Sequence, residues 1–173
     1  MRSSLLLFPL LAPAAAVAAP DSKEIVEIER AFAALAAQKG ISTAFRTYAA
    51  EDGVLFTPDP RPAQAFLAEA GESPGSLRWW PAFAGIAQSG DLAFTTGPFV
   101  QEQAGRTGHG WFFTIWRRQK DGSWKWMLDH GTPTGEASTI TADAPHATLA
   151  PGQAGGTRAA GELAAIEARL DRG

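Results

Sequence analysis

The stretch GHGWFFTIWRRQKDGSWKWMLDHGTP, Gly108 to Pro133, carries four of the chain's six tryptophans. It reads as two strands and the turn between them. Asp121-Gly122 is a strong two-residue turn signal, because a type I′ turn needs positive φ at both central positions. Aromatic and β-branched residues crowd both flanks, as a pleated, buried surface prefers. With Asp121-Gly122 as the loop, Lys120 pairs with Ser123 and the register follows. Trp116 then faces Met127, Thr114 faces Asp129 and Phe112 faces Gly131. On the other surface Arg117 meets Trp126, Ile115 meets Leu128 and Phe113 meets His130. Cross-strand partners share a face, so the hairpin has two distinct surfaces. Both are largely apolar, whereas a half-solvated hairpin alternates apolar and polar residues. Both faces therefore need cover, one from the rest of the domain and one from a helix or a partner subunit.

Upstream, Leu92 to Gln101 reads as a strand, bent at Gly97-Pro98 because proline cannot donate to a central ladder. A polar loop, Glu102 to Gly108, joins it to the hairpin. Ser89-Gly90-Asp91 is a turn, and Leu77-Arg78-Trp79-Trp80-Pro81 is another strand, followed by Phe83 to Gln88. Residues 57–74 are irregular, with Pro58, Pro60 and Pro62 breaking any strand and Ala63 to Ala70 forming a short helix. Val54-Leu55-Phe56 is a short strand after the Asp52-Gly53 break. Ser42 to Ala50 is a short helix carrying Phe45 and Tyr48. Asp21 to Gln38 is an amphipathic helix, with Ile25, Ile28, Phe32 and Leu35 at helical spacing, a capping-box pair in Asp21 and Glu24, and Gly40 as the stop. Two helices, a strand, an irregular segment and three or four consecutive antiparallel strands make an α+β arrangement, with helices against one side of a curved sheet.

The ends differ in composition. Residues 1–18 read as a secretory signal peptide: Arg2 is the charged start, Leu5 to Leu11 the apolar run, and Ala16-Val17-Ala18 the small-x-small cleavage pattern. The apolar run is shorter than the roughly 20 residues of a spanning helix, so the mature protein is expected to be exported and free of the membrane. The domain is expected over residues 19–133. Residues 134–157 are rich in Ala, Gly, Pro, Ser and Thr and read as a flexible linker. Residues 158–173 recover helical spacing through Leu163, Ile166 and Leu170. The net charge of the 173-residue chain is −3, with no long basic run, which argues against nucleic acid as a partner. The chain has no cysteine, which excludes disulfides, thiol catalysis and thiolate metal sites. His109, His130 and His146 are scattered without a carboxylate cluster, so no metal or cofactor is expected.

The runs GDLAFTTGPF and WFFTIWRRQKDGSWKWMLDHGTP together resemble the family designated domain of unknown function 4440. That family belongs to the SnoaL-like, nuclear-transport-factor-2-like superfamily. AEDGVLFTP and LRWWP sit in the expected order, and the resemblance covers about Ser22 to Pro133. It implies a cone-shaped (cystatin-like) fold in which a bent antiparallel sheet wraps around the N-terminal helices and encloses a pocket. Relatives are commonly dimers through the sheet. They include ketosteroid isomerases, polyketide cyclases, scytalone dehydratase and limonene epoxide hydrolase, and fold alone does not select among them.

In similar domains the side chains in phase with Thr114 and Asp129 point into the cone. That places Phe112, Thr114, Trp116, Met127 and Asp129 on the pocket side. Asp129 has two readings. A carboxylate among tryptophan and methionine should have its pKa raised by desolvation, which suits general acid–base work. Alternatively it accepts threonine or backbone hydrogen bonds and holds the strand end. His130 faces the other way and cannot form a dyad with Asp129. Trp79, Trp80 and Trp116, with Tyr48, either wall the pocket against a small apolar or aromatic ligand or are simply core. Trp111, Phe113, Ile115, Trp126 and Leu128 form a face with no obvious cover, the candidate homodimer surface. Three functions follow: an exported small-molecule-binding protein without catalysis, an isomerase, dehydratase or cyclase using Asp129, or an interaction module acting through its sheet.

Overall fold

The computed structural model describes residues 21–149 and 156–170. The expected signal peptide, residues 1–18, lies outside the described residues, as do residues 150–155 of the expected linker.

Helix α1 spans Ser22–Lys39 and buries Ile25, Val26, Glu29, Phe32 and Ala36, one stripe at helical spacing. The Asp21 side chain accepts the Lys23 amide, and Gly40 ends the helix at φ 95°. Glu24 does not close a capping box. Its carboxylate instead reaches Arg118 at 2.5 Å and the Trp124 indole at 3.0 Å, tying the helix start to the hairpin turn. Helix α2, Ile41–Tyr48, follows directly and leads into strand β1, Ala49–Phe56. Strand β2 is Pro60–Pro62 and helix α3 is Ala63–Ala70. The remaining strands are β3 (Ser76–Trp79), β4 (Phe83–Ile86), β5 (Leu92–Gln103), β6 (Arg106–Arg118), β7 (Trp124–Pro133) and β8 (Ala147–Thr148), and helix α4 is Gly156–Leu170.

The strands form one eight-stranded sheet in the order β2-β1-β7-β6-β5-β4-β8, with β3 also paired to β5. Consecutive strands β4 to β7 are antiparallel, but β1 joins β7 in parallel and β8 joins β4 in parallel. The sheet curves around α1 and α2, whose apolar faces meet its inner surface in one core of Ile25, Phe32, Phe45, Trp79, Trp116 and Trp126. This is the α+β arrangement that the sequence pattern calls for, in the cone shape that the resemblance implies.

Three local readings change. The hairpin turn is longer than two residues: the Gln119 amide donates to the Ser123 carbonyl, and Gly122, at φ 85°, donates to the Gln119 carbonyl. That is a three-residue loop with a left-handed glycine. It shifts pairing by one, so Trp116 faces Trp126 and Arg117 faces Lys125. A bulge then takes up Met127 and restores the expected register, with Ile115 opposite Leu128, Thr114 opposite Asp129 and Phe112 opposite Gly131. Trp126 is consequently in the core at 0% exposure, not on the outer face, and Met127 is the bulged residue rather than a partner of Trp116. The Glu102–Gly108 loop contracts to a two-residue turn at Ala104-Gly105, both with positive φ, and β5 and β6 extend to meet there. Asp52-Gly53 lies within β1 at an irregularity in its pairing with β7, and Asp52 pairs with Arg117.

The segment read as a linker is partly bound to the sheet. The Trp80 indole donates to the Ile140 carbonyl at 3.2 Å, and the Ala147 and Leu149 amides donate to Ala82 and Ala84. Composition missed this because, apart from the Trp80 indole, the attachment is made by backbone groups along the edge at Ala82 and Ala84, which any sequence can supply.

Candidate functional site

Between the inner face of the sheet, α2 and α3 lies a cavity of about 500 Å³. Its walls are largely apolar: Phe45 from α2, Leu55 and Phe56 from β1, Phe66 and Leu67 from α3, Leu77 and Trp79 from β3, Phe99 from β5 and Phe112 from β6. Glycines around it let neighbouring segments of the sheet pack closely. A Cβ on Gly110 would lie 2.3 Å from the Phe99 ring and 2.4 Å from the Thr132 carbonyl, and one on Gly97 would lie 2.1 Å from the Trp80 carbonyl. Gly131, opposite Phe112, lines the cavity directly.

The mouth is built around Glu72. Its carboxylate accepts the Ser42 amide at 3.1 Å, the Thr43 amide at 2.9 Å and the Thr43 hydroxyl at 2.6 Å. A carboxylate at the first turn of α2 satisfies free amides and complements the helix dipole. The Thr43 hydroxyl bond lowers its pKa. The Ser42 hydroxyl donates to the Gly71 carbonyl, so the segment after α3 is fastened to the start of α2.

The other lining carboxylate is Asp129, on β7 and 7% exposed. The Thr114 hydroxyl donates to its Oδ2 at 2.7 Å. Burial pushes the Asp129 carboxyl up to about 7, against the lowering effect of the Thr114 bond. Desolvation disfavours the charged form, and a single hydroxyl does not offset it.

A second buried carboxyl stands behind it. Glu29, on the buried stripe of α1, is 0% exposed. It accepts the Trp79 indole at 2.6 Å and the Thr95 hydroxyl at 2.5 Å, and the Thr95 oxygen in turn accepts the Trp116 indole at 2.9 Å. Burial raises Glu29 to about 7, the Thr95 and Trp79 bonds oppose the rise, and the charge of Asp129 adds to it. Thr95, Thr114 and Asp129 are successive cross-strand partners on β5, β6 and β7. Glu29, Thr95, Thr114 and Asp129 thus form one row of buried polar side chains across the inner face of the sheet. Tyr48, half-buried against Phe32 and Trp116, has its pKa raised by burial and by the charge of Glu29.

Of the residues singled out from sequence, Trp79, Phe112 and Asp129 line the cavity. Thr114 is fully buried and holds Asp129 from the side, and Trp116 is fully buried with its indole on Thr95. Tyr48 packs in the core beside Phe32. Trp80 follows Trp79 in an extended chain, so it faces away from the cavity, toward Ile140. Met127 is removed from the inner face by the bulge. Glu29 was not anticipated, although the signal is present: it continues the Ile25, Phe32, Ala36 stripe, where a charge has no business unless it is bonded. Phe99 and Leu55 face inward by strand alternation, whereas Phe66 and Leu67 depend on how α3 docks. Among the described residues no group of three His, Cys, Asp or Glu side chains is placed to hold a metal ion.

No protein-family model matches the chain, and no curated protein matches it in sequence. Solved structures do match. An NTF-2 like protein of unknown function from Shewanella oneidensis superposes with a TM-score of 0.52 at 20% identity, covering 63% of this chain and 96% of that one. A proposed ketosteroid isomerase from Parabacteroides distasonis gives 0.53 at 15% identity, covering 65% and 87%. A ketosteroid isomerase-like protein from Erwinia carotovora atroseptica gives 0.50 at 15%, covering 65% and 96%. At such identities the likeness concerns the fold, and that fold is the nuclear-transport-factor-2-like cone.

Proposed function

We propose that this protein binds a small apolar or aromatic molecule bearing at least one oxygen, with its body among the cavity's rings and its oxygen on Asp129. The observation that carries the reading is the contrast between the two lining carboxyls. Glu72 is committed to the amides of α2 at the mouth. Asp129 is nearly buried and engages one hydroxyl through Oδ2, which leaves Oδ1 for a ligand. A cavity of about 500 Å³ falls in the range of small-molecule sites, which are mostly apolar with a few placed polar groups. A carboxyl titrating near 7 both donates to a carbonyl and accepts from a hydroxyl around neutral pH. The signal-like residues 1–18 support export, so the ligand is one met outside the cytoplasm. The paired GDLAFTTGPF and WFFTIWRRQKDGSWKW elements support kinship with the domain of unknown function 4440 family.

The test is tryptophan fluorescence of the full mature chain titrated with 2-naphthol and, separately, with naphthalene. The reading predicts saturable quenching by 2-naphthol at least about tenfold tighter than naphthalene, and loss of that preference in Asp129→Ala. Equal affinities that are indifferent to Asp129 contradict it.

A second reading is favoured by the same raised pKa. A group that holds and releases a proton near pH 7 is suited to general acid–base catalysis of an isomerase, dehydratase or cyclase type. Binding without turnover remains the first reading, because Glu29 does not line the cavity and no other lining carboxyl is free of the helix amides. Exchange of ligand carbon-bound hydrogen with deuterium from solvent, lost in Asp129→Asn, decides for catalysis.

A further inference from the structure

The outer face of the sheet, opposite the cavity, holds a second concavity lined by Ile86, Leu92, Phe94, Phe113, Ile115 and Leu149. Phe94 and Phe113 stack at 5.8 Å, and Phe83 joins the row at 5.6 Å from Phe94. The exposed large hydrophobic side chains among the described residues are Leu92, Phe113, Leu149, Leu163 and Ile166. The first three belong to this groove, and the last two sit one turn apart on α4. Both surfaces leave apolar side chains in water, and burying one against the other removes that exposure.

We propose that α4 folds back within its own chain and seats Leu163 and Ile166 in this groove, as a cover for the outer face. The two apolar surfaces are the only ones of their kind among the described residues, and each lacks what the other supplies. The chain leaves the sheet at the groove itself: the Leu149 amide is bonded to Ala84, and Leu149 is a groove residue. Six residues, 150–155, then separate it from Gly156. At most about 3.6 Å per residue, that tether spans no more than about 22 Å, which keeps the start of α4 near Leu149 and the groove. Leu163 and Ile166, three apart on the helix, lie on one face of α4 and present neighbouring apolar side chains to the groove together. Because α4 is on the same chain, its docking is intramolecular and does not depend on protein concentration, as docking of a second copy does. The same helix therefore competes with any self-association through Phe113 and Ile115.

The chain contains no cysteine, so engineered pairs report on it cleanly. In the full chain, Leu92→Cys with Ile166→Cys is compared with Glu27→Cys and Ile166→Cys, Glu27 being an exposed residue of α1 on the other side of the sheet. The proposal predicts that, at low micromolar protein, the first pair closes an intrachain disulfide at least about tenfold faster than the second. Equal intrachain rates, crosslinks only between chains, or no crosslink at all in the first pair each overturn it. Circular dichroism of the reduced variants confirms that both pairs are compared in folded protein.

Discussion

Glu29 and Asp129 are the two residues on which the interior turns, and they respond differently to change. Glu29 satisfies two buried donors, the Trp79 indole and the Thr95 hydroxyl. Removing a buried acceptor leaves each donor unpaired at roughly 1–3 kcal/mol. Glu29→Leu is thus expected to destabilise by about 3 kcal/mol or more in urea unfolding at pH 6, while Glu29→Gln, which keeps an acceptor for Trp79, costs markedly less. Asp129 has one partner and a desolvation penalty when charged. Its folded pKa of about 7 stands above its ordinary value, so the folded state binds the proton more tightly than the unfolded state does. Asp129→Asn removes that penalty, and at pH 8 urea unfolding is expected to show the variant as stable as the parent or more so. A large loss of stability at pH 8 would show that the charged carboxylate is needed to hold β7.

At the scale of the element, the glycines of the bent strands set the shape. Gly97 sits where a Cβ would meet the Trp80 carbonyl at 2.1 Å and the Ala82 amide at 2.9 Å, both backbone atoms that cannot swing aside. Gly97→Ala is expected to lower stability by about 1–3 kcal/mol, the usual range for forced overpacking, measured by thermal unfolding. Gly122→Ala has open space around it and bears only the cost of its left-handed φ of 85°, about 1 kcal/mol. How much could be read beforehand is clearest in the central hairpin. The row Thr114–Asp129 was legible because alternation and a turn signal fix a register that a bulge only interrupts. Two opposite errors cancelled: the turn takes one residue more than Asp121-Gly122, and the bulge at Met127 takes one back. Between the two, Trp126 and Met127 exchanged roles. The parallel pairing of β1 with β7 was not legible, since nothing local in Ala49–Phe56 specifies which distant edge it joins. The cavity walls from α3 escaped for the same reason, and Glu29 because a glutamate on an Ala-rich helix reads as solvated until its neighbours on the stripe are counted.

For the whole molecule, two carboxyls raised to about 7 impose one pH trend. Between their ordinary values near 4 and their folded values, the native state holds more protons than the unfolded state. Unfolding free energy therefore falls as pH rises through that window and levels off above it. Thermal unfolding is expected to move to lower temperature from pH 5 to pH 8, and the Glu29→Gln, Asp129→Asn double variant is expected to lose most of that slope. The fold encloses this pair against bulk water by wrapping eight strands around two helices. The inner face is taken up by the helices and the cavity, and the outer face is the one proposed for α4.

The most direct test of the central claim, that the cone holds a proton-bearing carboxyl in an apolar chamber, is a carbon-13 NMR titration of the Asp129 carboxyl in the full chain, assigned by its absence in Asp129→Asn. A midpoint near 7 is the expected result. A midpoint near 4, the ordinary carboxylate range, would mean that water reaches Asp129 freely and that no such chamber exists.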